Sequence, residues 1–125
     1  MSTPEPRASV STSGPVLIVG TGLLGTSLAL ALRTAGVEVL LSDTSPTSLA
    51  LARDMGAGTL HGEDSPEPQI VVVATPPDVT ADIVVAQLSA HPSAVVTDVA
   101  SVKERVVAEV RARAGAQARR YVGSH

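Results

Sequence analysis

The amino-acid sequence predicts an α/β domain built on a doubly wound, mostly parallel sheet. Short runs of Val, Ile and Leu alternate with longer segments of helical periodicity. The first run, residues 16–19, leads into a turn with glycines at Gly20, Gly22 and Gly25. The second run ends at the acidic residue Asp43. Strands that alternate with helices form parallel sheets with right-handed crossovers, which is the basis of this fold class.

The composition narrows the classes of function. The 125 residues suffice for one domain with a core, and 44% hydrophobic and 17% charged residues are typical of globular proteins. The absence of Cys excludes disulfides, thiolate metal sites and cysteine nucleophiles, and we expect no metal site. One Tyr, with no Phe or Trp, leaves no stacking platform for bases, so we expect no nucleic-acid partner.

The ends of the sequence suggest a soluble domain with an N-terminal tail. Residues 1–14 are rich in Ser, Thr and Pro and predict a flexible tail, which leaves residues 15–125 as the domain. No apolar run approaches the length of a membrane span, and the N-terminus lacks the pattern of a signal peptide. We therefore expect a cytoplasmic protein without a membrane partner.

The first strand, turn and helix predict a dinucleotide site of the Rossmann type. Residues 16–19 are apolar enough for a strand covered on both faces, and residues 23–35 form a helix that Gly36 closes. In the pattern G-x-G-x-x-G, the glycines permit a tight turn, close approach of a pyrophosphate and close helix packing. The pyrophosphate would lie at the helix N-terminus. The predicted cofactor-binding residues of this turn are Gly20, Thr21, Gly22, Leu23, Leu24 and Gly25.

Asp43 predicts NAD rather than NADP as the cofactor. It lies 18 residues after Gly25, close to the spacing at which an acidic residue binds the ribose hydroxyls of NAD. Its carboxylate would repel the 2′-phosphate of NADP. The alternative is a plain βαβ unit in which Asp43 only caps a turn.

The middle of the chain continues the alternation. Ser45 is a good N-cap for a helix to about Met55, residues 57–60 predict a short strand, and residues 61–69 a loop. Residues 70–74 predict a buried strand.

The turn after this strand has two compatible interpretations. Thr75 as N-cap and Pro76 as first helical residue would start a helix that ends at Ala90. The same turn leaves the carboxyl end of a strand beside the point where the strand order reverses, where a cofactor lies. Ala74, Thr75 and Pro76 are therefore also predicted cofactor contacts.

Helical spacing predicts the side chains that face the core. In the first helix they are Leu24, Leu28 and Leu32, and in the third Val79, Ile83, Ala86 and Leu88. We interpret His61 as a solvated loop residue and His91 as a surface turn residue. A strand over residues 94–99, a helix over residues 101–114 and the start of a sixth strand at Tyr121 complete the domain.

Two later segments are more specific. Residues 96–103 read Val-Thr-Asp-Val-Ala-Ser-Val-Lys, and residues 121–125 read Tyr-Val-Gly-Ser-His. With the glycine turn and the Ala-Thr-Pro of residues 74–76, they resemble the prephenate and arogenate dehydrogenases of tyrosine biosynthesis. The last segment looks like that family's G-x-H-P motif without its proline. The resemblance covers residues 15–125.

This resemblance implies oxidative decarboxylation of prephenate to 4-hydroxyphenylpyruvate, with hydride transfer to NAD; arogenate is the alternative substrate. By similarity, His125 accepts the proton of the ring hydroxyl, and Ser101 lies between that hydroxyl, the histidine and the nicotinamide. Histidine suits this role because its ordinary pKa of about 6.5 is near working pH. Ser101 and Glu104 also form an S-x-x-E capping box, which by itself would explain the serine.

The family has a second, mostly helical domain that supplies dimer contacts and the basic groups for the substrate. We expect this sequence to be a fragment that binds NAD without turning over prephenate, and the full-length form to be a homodimer. Two other functions stay open. One is a related enzyme such as a β-hydroxyacid dehydrogenase. The other is a non-catalytic NAD-binding module, which needs Asp43 but neither Ser101 nor His125.

Overall fold

The domain is formed by one parallel β-sheet, whose strands alternate with helices along the chain. The computed structural model describes residues 14–100 and 103–123, with Lys103 described by its backbone alone. The strands are β1 (Val16–Val19), β2 (Val39–Ser42), β3 (Thr59–Leu60), β4 (Ile70–Val73), β5 (Val95–Asp98) and β6 (Tyr121–Gly123). The helices are α1 (Leu23–Thr34), α2 (Pro46–Asp54), α3 (Pro77–Ala90) and α4 (Lys103–Ala114), followed by a 3₁₀ helix (Gly115–Arg120).

The sheet topology confirms the predicted doubly wound fold. The order of the six described strands is β3-β2-β1-β4-β5-β6, and every neighbouring pair is parallel. Val16 of β1 lies beside Val39 of β2 and Ile70 of β4, so the strand order reverses at β1. The carboxyl ends of β1 and β4 therefore meet at the edge of the sheet where cofactors bind in such folds.

Alternate residues of the central strands β1, β2 and β4 contribute to two separate cores. One core contains Leu17, Val71 and Val96 with Leu88 of α3 and Val110 of α4. The other lies on the opposite side of the sheet and contains Val16, Ile18, Val39, Leu41 and Val72 with Ala29 and Ala52 of the first two helices. Because both of their faces are covered, β1 and β4 are apolar at every position, as the sequence predicted. None of the helices in the described residues is long and apolar enough to cross a bilayer.

Helix α1 contacts the sheet through small residues, and the predicted leucine stripe was partly wrong. Leu24 is 57% exposed, whereas Gly25 and Ala29 are buried. Leu28 and Leu32 are partly buried against the core. Because Gly25 has no side chain, the helix backbone approaches the preceding turn so closely that the contact face centres on the glycine rather than on Leu24.

Helix α3 begins at Pro77, one residue later than predicted. Its N-cap residue is Pro76, and no side chain caps the helix. The hydroxyl of Thr75 instead lies 3.2 Å from that of Thr80. Thr80 also donates to the carbonyl of Pro76 at 3.0 Å, so a hydroxyl inside the helix, rather than a cap, ties the turn to α3.

The core face of α3 also differs from the predicted one. Leu88 is buried as predicted, but Val79 and Ala86 are exposed and Ile83 is half-buried. The buried residues of the helix are Thr80, Ala81, Val84 and Leu88. Apolar and small residues surround most of this helix, so periodicity alone did not identify the side that the sheet covers.

His91 is buried, which corrects its interpretation as a surface turn residue. Its Nδ1 lies 2.8 Å from Oε1 of Glu67, and its ring meets that of His61 edge-on with the centroids 5.7 Å apart. The loop over residues 61–69 thus returns to β4 past the end of α3 and covers the imidazole. Burial and the neighbouring His91 lower the pKa of His61, and Glu67 opposes this shift.

The last elements agree with the prediction where they are described. Val106 and Val110 of α4 are buried. The 3₁₀ helix between α4 and β6 was not predicted. The predicted tail up to residue 13, the predicted capping box at Ser101 and the predicted catalytic His125 lie outside the described residues.

Candidate dinucleotide site

The three glycines of the first turn have different surroundings. Gly20 has a φ of +106°, and a Cβ there would lie 2.4 Å from the carbonyl oxygen of Ala74. A Cβ on Gly25 would lie 1.9 Å from the carbonyl oxygen of Gly20. A Cβ on Gly22 would meet nothing within 4 Å. Gly20 and Gly25 are thus needed for the fold, while Gly22 opens onto free space at the tip of the turn.

The N-terminus of α1 is suited to an anion. Gly22 is the N-cap residue, no side chain caps the helix, and its first turn contains no acidic residue. Unsatisfied backbone amides and the helix dipole favour a negative group at such an end. The open approach at Gly22 and the uncapped amides therefore coincide at the position predicted for a pyrophosphate.

Asp43 links this turn to the end of the neighbouring strand. Its Oδ2 accepts hydrogen bonds from the Thr21 amide at 2.6 Å and from the Thr21 hydroxyl at 2.8 Å. Its Oδ1 accepts from the Ser45 amide at 2.8 Å. Asp43 therefore caps the turn after β2, as the alternative interpretation predicted. The same carboxylate also binds the glycine turn through Thr21. It stands beside the approach to Gly22, where a ribose would follow a pyrophosphate.

Hydrogen bonding keeps Asp43 ionised. Burial by itself raises the pKa of this carboxyl, but the donors from Ser45, Thr21 and Thr44 outweigh burial and lower the pKa below its ordinary value. A depressed pKa in the folded state stabilises the fold above the unfolded pKa, and this contribution is lost as pH falls through the folded value. Asp43 is therefore charged at neutral pH.

A cavity of about 560 Å³ opens beside Asp43, and we call it the Asp43 cavity. Its volume is within the range of about 300–1,000 Å³ typical of ligand sites. Its wall includes the glycine turn, the ends of β1, β2 and β4, and one side of α3. The residues are Val19, Gly20, Gly22, Ser42, Asp43, Thr44, Ser48, Ala74, Thr75, Pro76, Val79, Ile83 and Gln87.

A second cavity of about 410 Å³ adjoins the first across Gly22, and we call it the Ala100 cavity. Both cavities share Gly22, Ala74, Thr75 and Pro76. The other lining residues are Leu23, Leu24, Pro77, Val99 and Ala100. The exposed Leu24 that contradicts the core prediction thus forms part of a cavity wall. A long ligand that passes over Gly22 would place one half in each cavity.

Three residues of α3 were missed by sequence reasoning. Val79, Ile83 and Gln87 line the Asp43 cavity. They are spaced by four residues, so an i, i+4, i+8 stripe was the signal that could have revealed them. Oε1 of Gln87 is buried and has no hydrogen-bond partner in the part of the chain that the structure describes. Such oxygens are rare in folded proteins because each costs about 1–3 kcal/mol.

The structure brings together the predicted cofactor-binding residues from three segments: the glycine turn, the end of β2, and the turn after β4. All of them except Thr21, Leu23, Leu24 and Gly25 line the Asp43 cavity, while Leu23 and Leu24 line the Ala100 cavity. Thr21 is bound to Asp43, and Gly25 supports the turn. Ser101 directly follows the wall residue Ala100, and His125 follows β6 by two residues; neither position is described. The described residues contain no cluster of three or more metal-binding side chains.

Comparisons with known proteins extend over most of the domain. The family model "Prephenate dehydrogenase, nucleotide-binding domain" matches residues 28–125. The "Probable prephenate dehydrogenase NovF" of Streptomyces niveus is 41% identical over 110 residues, which are 87% of this chain and 30% of that protein. The "Shikimate dehydrogenase (NADP(+))" of Thermus thermophilus is 40% identical over 63 residues, half of this chain and 24% of that protein.

Among solved structures, that of Synechocystis arogenate dehydrogenase is similar, with a TM-score of 0.66 and 26% identity. The match covers 78% of this chain and 36% of that one. The chain therefore spans about a third or less of the length of these relatives.

Proposed function

Because the chain belongs to the prephenate dehydrogenase family as its NAD-dependent nucleotide-binding domain, we propose that it holds NAD for the oxidative decarboxylation of prephenate. The observation that supports this most directly is the pair of cavities that meet over Gly22, one beside Asp43 and the other beside Ala100. We assign the adenosine half of NAD to the Asp43 cavity and the nicotinamide half to the Ala100 cavity.

In the proposed reaction, NAD held by the glycine turn and Asp43 would supply the acceptor for the hydride of the ring carbon that carries the hydroxyl. His125 would accept the hydroxyl proton, and the Ser101 hydroxyl would bind between that hydroxyl and the nicotinamide, as the resemblance to the family implies. Loss of the ring carboxylate as carbon dioxide leaves the phenolate of 4-hydroxyphenylpyruvate, which takes the proton back. The parallel pairing of Asp98 with Gly123 supports these roles, because β5 and β6, the strands that precede Ser101 and His125 in the sequence, end at the same edge of the sheet.

The experiment that tests this proposal uses the protein purified from its own source. NAD is titrated first, and NADH formation is then followed with prephenate and separately with arogenate. Turnover with either one supports the dehydrogenase and selects its substrate. Tight NAD binding without turnover of either supports the second candidate, a non-catalytic NAD-binding module in tyrosine biosynthesis or elsewhere.

We expect substitution of Asp43 by serine to reduce the preference for NAD. A hydrogen bond to a charged group contributes about 1.5–3 kcal/mol, so NAD affinity should fall by roughly tenfold or more. NADP affinity should fall less or rise, because the carboxylate no longer repels its 2′-phosphate. Calorimetric titration with both dinucleotides measures the ratio.

Asp64→Ser is the matched control, since Asp64 is an exposed loop residue that lines neither cavity. The NAD preference of the unaltered protein should also stay constant from pH 8 to about pH 5, because the lowered pKa keeps Asp43 ionised. An unaltered ratio of NAD to NADP affinity in Asp43→Ser would contradict the assignment of the ribose to this carboxylate.

We expect Gln87 to contribute to recognition of the base. Its unpaired carboxamide oxygen belongs to a residue that lines the far side of the Asp43 cavity, and the 6-amino group of adenine is a donor that such an acceptor would bind. Gln87→Leu should lower the affinity for NAD by about threefold to tenfold, as expected for the loss of one hydrogen bond of roughly 1 kcal/mol. It should leave the binding of nicotinamide hypoxanthine dinucleotide, which lacks the amino group, nearly unchanged.

Gln117→Leu serves as the control, because Gln117 is exposed on the 3₁₀ helix. Equal weakening of the two dinucleotides by Gln87→Leu would show that the leucine disturbs the cavity as a whole.

A further inference from the structure

The carboxylate of Asp98 connects two segments at the edge of the candidate site. Asp98 is the last residue of β5 and is fully buried. Its Oδ2 accepts a hydrogen bond from the hydroxyl of Tyr121 on β6. Its Oδ1 accepts from the amide of Ala100 at 2.9 Å. One buried group thus holds both the turn that leaves β5 and the neighbouring strand.

The protonation state of the Tyr121 hydroxyl, the donor on β6, does not change in the physiological pH range. Burial and the hydrogen bond to Asp98 raise the pKa of the Tyr121 hydroxyl well above its ordinary value. The hydroxyl therefore stays protonated and can donate. Leaving a buried carboxylate without donors is costly, so the positions of the Ala100 amide and the Tyr121 hydroxyl are tightly specified.

The turn after β5 and the end of β6 lie at the same edge of the sheet. Ala100 lines the second cavity together with Leu23 and Thr75. Gly123 pairs with Asp98 across the parallel strands, so β6 ends at the same edge of the sheet as β5. The Asp98 carboxylate therefore sits behind the wall of the Ala100 cavity rather than inside it.

We propose that Asp98 is a positioning residue, which holds the Ala100 wall where it meets the nicotinamide half of NAD. This inference rests on the proposed function, since it requires that half of the cofactor to occupy the Ala100 cavity. The simpler alternative is that the bond between Asp98 and Tyr121 only fastens β6, the edge strand, to the sheet. The two accounts differ in what they predict for ligands with and without nicotinamide.

The test compares NAD with ADP-ribose, which has the same adenosine and pyrophosphate but no nicotinamide. Both are titrated calorimetrically into the whole chain and into Asp98→Asn, with a thermal melt of each protein. We expect NAD affinity to fall at least fivefold in Asp98→Asn while ADP-ribose affinity stays within about twofold. Tyr121→Phe, which keeps the ring and removes the donor, should shift the ratio in the same direction by less.

Thr97→Val is the matched control. The Thr97 hydroxyl donates to the carbonyl of Val122, so this variant also removes a side-chain bond between β5 and β6 but does not touch the Ala100 turn. It should lower the melting temperature and leave the ratio of NAD to ADP-ribose affinity unchanged.

An equal loss of affinity for both ligands in Asp98→Asn would overturn the positioning role in favour of strand attachment. A shifted ratio of NAD to ADP-ribose affinity in Thr97→Val would do the same. If Asp98→Asn does not fold, Tyr121→Phe decides, and an unchanged ratio there overturns the inference. Failure of the proposed function has a different signature, because the unaltered chain would then bind neither ligand, which overturns both.

Discussion

Replacing Gly25 with alanine is expected to loosen the packing of α1 on the sheet and to weaken NAD binding strongly. The added Cβ would lie 1.9 Å from the carbonyl oxygen of Gly20 and 3.3 Å from the Cβ of Ala74. The first contact is with backbone, so no side-chain rotation relieves it. Alanine favours a helix over glycine by about 1 kcal/mol, but overpacking of a buried site costs about 1–3 kcal/mol or more.

We expect a net destabilisation of about 2 kcal/mol, seen as a fall in melting temperature of about 10 °C. The glycine turn must move to accept the methyl group, so NAD affinity should fall at least about 100-fold in a calorimetric titration. A melting temperature equal to that of the unaltered protein would contradict the packing role of Gly25.

Gly22→Ala separates the effect on the fold from the effect on the cofactor. A Cβ at Gly22 meets no protein atom within 4 Å, so we expect the melting temperature to be preserved. NAD affinity should fall about tenfold, because the methyl group stands where the pyrophosphate approaches. Gly62→Ala, whose Cβ is equally unobstructed and which lines neither cavity, should change neither property.

Replacing His125 with asparagine is expected to lower turnover by about 10²–10⁴-fold, the usual contribution of a general base. Asparagine keeps a hydrogen-bonding side chain of similar reach but cannot accept the hydroxyl proton at neutral pH. NAD affinity should be preserved, because the described residues that line the Asp43 cavity all lie between Val19 and Gln87. The measurement is NADH formation with prephenate and with arogenate, in the protein from its own source.

Ser101→Ala should lower turnover by a smaller factor, about 10–100-fold, and likewise preserve NAD affinity. His61→Asn is the control, since His61 lies in the loop after β3 and is not a cavity residue. Equal turnover in His125→Asn and the unaltered protein would rule out the histidine as the base. Equal loss of turnover and of NAD affinity in Ser101→Ala would favour the capping-box role over the catalytic one.

The local pattern of the sequence was sufficient to predict the secondary-structure elements and the segments that form the site. Apolar runs predicted the central strands β1, β2 and β4, because strands covered on both faces must be apolar throughout. The spacing of Gly20, Gly22 and Gly25 predicted the strand–turn–helix unit, and Asp43 was predicted at its edge. These features depend on residues close together in the chain, where local sterics decide the conformation.

Only the tertiary structure decided which side chains meet. Leu24 and Val79 satisfy helical periodicity, yet they line cavities, because the close approach at Gly25 and the sheet twist set the orientation of each helix. Residue spacing does not reveal that Asp98 binds Tyr121, 23 residues away, or that His91 is covered by the loop that carries Glu67. These contacts join separate segments, and their geometry follows from the packing of the whole sheet. Sequence periodicity describes one element at a time, and the site is formed where several of them end.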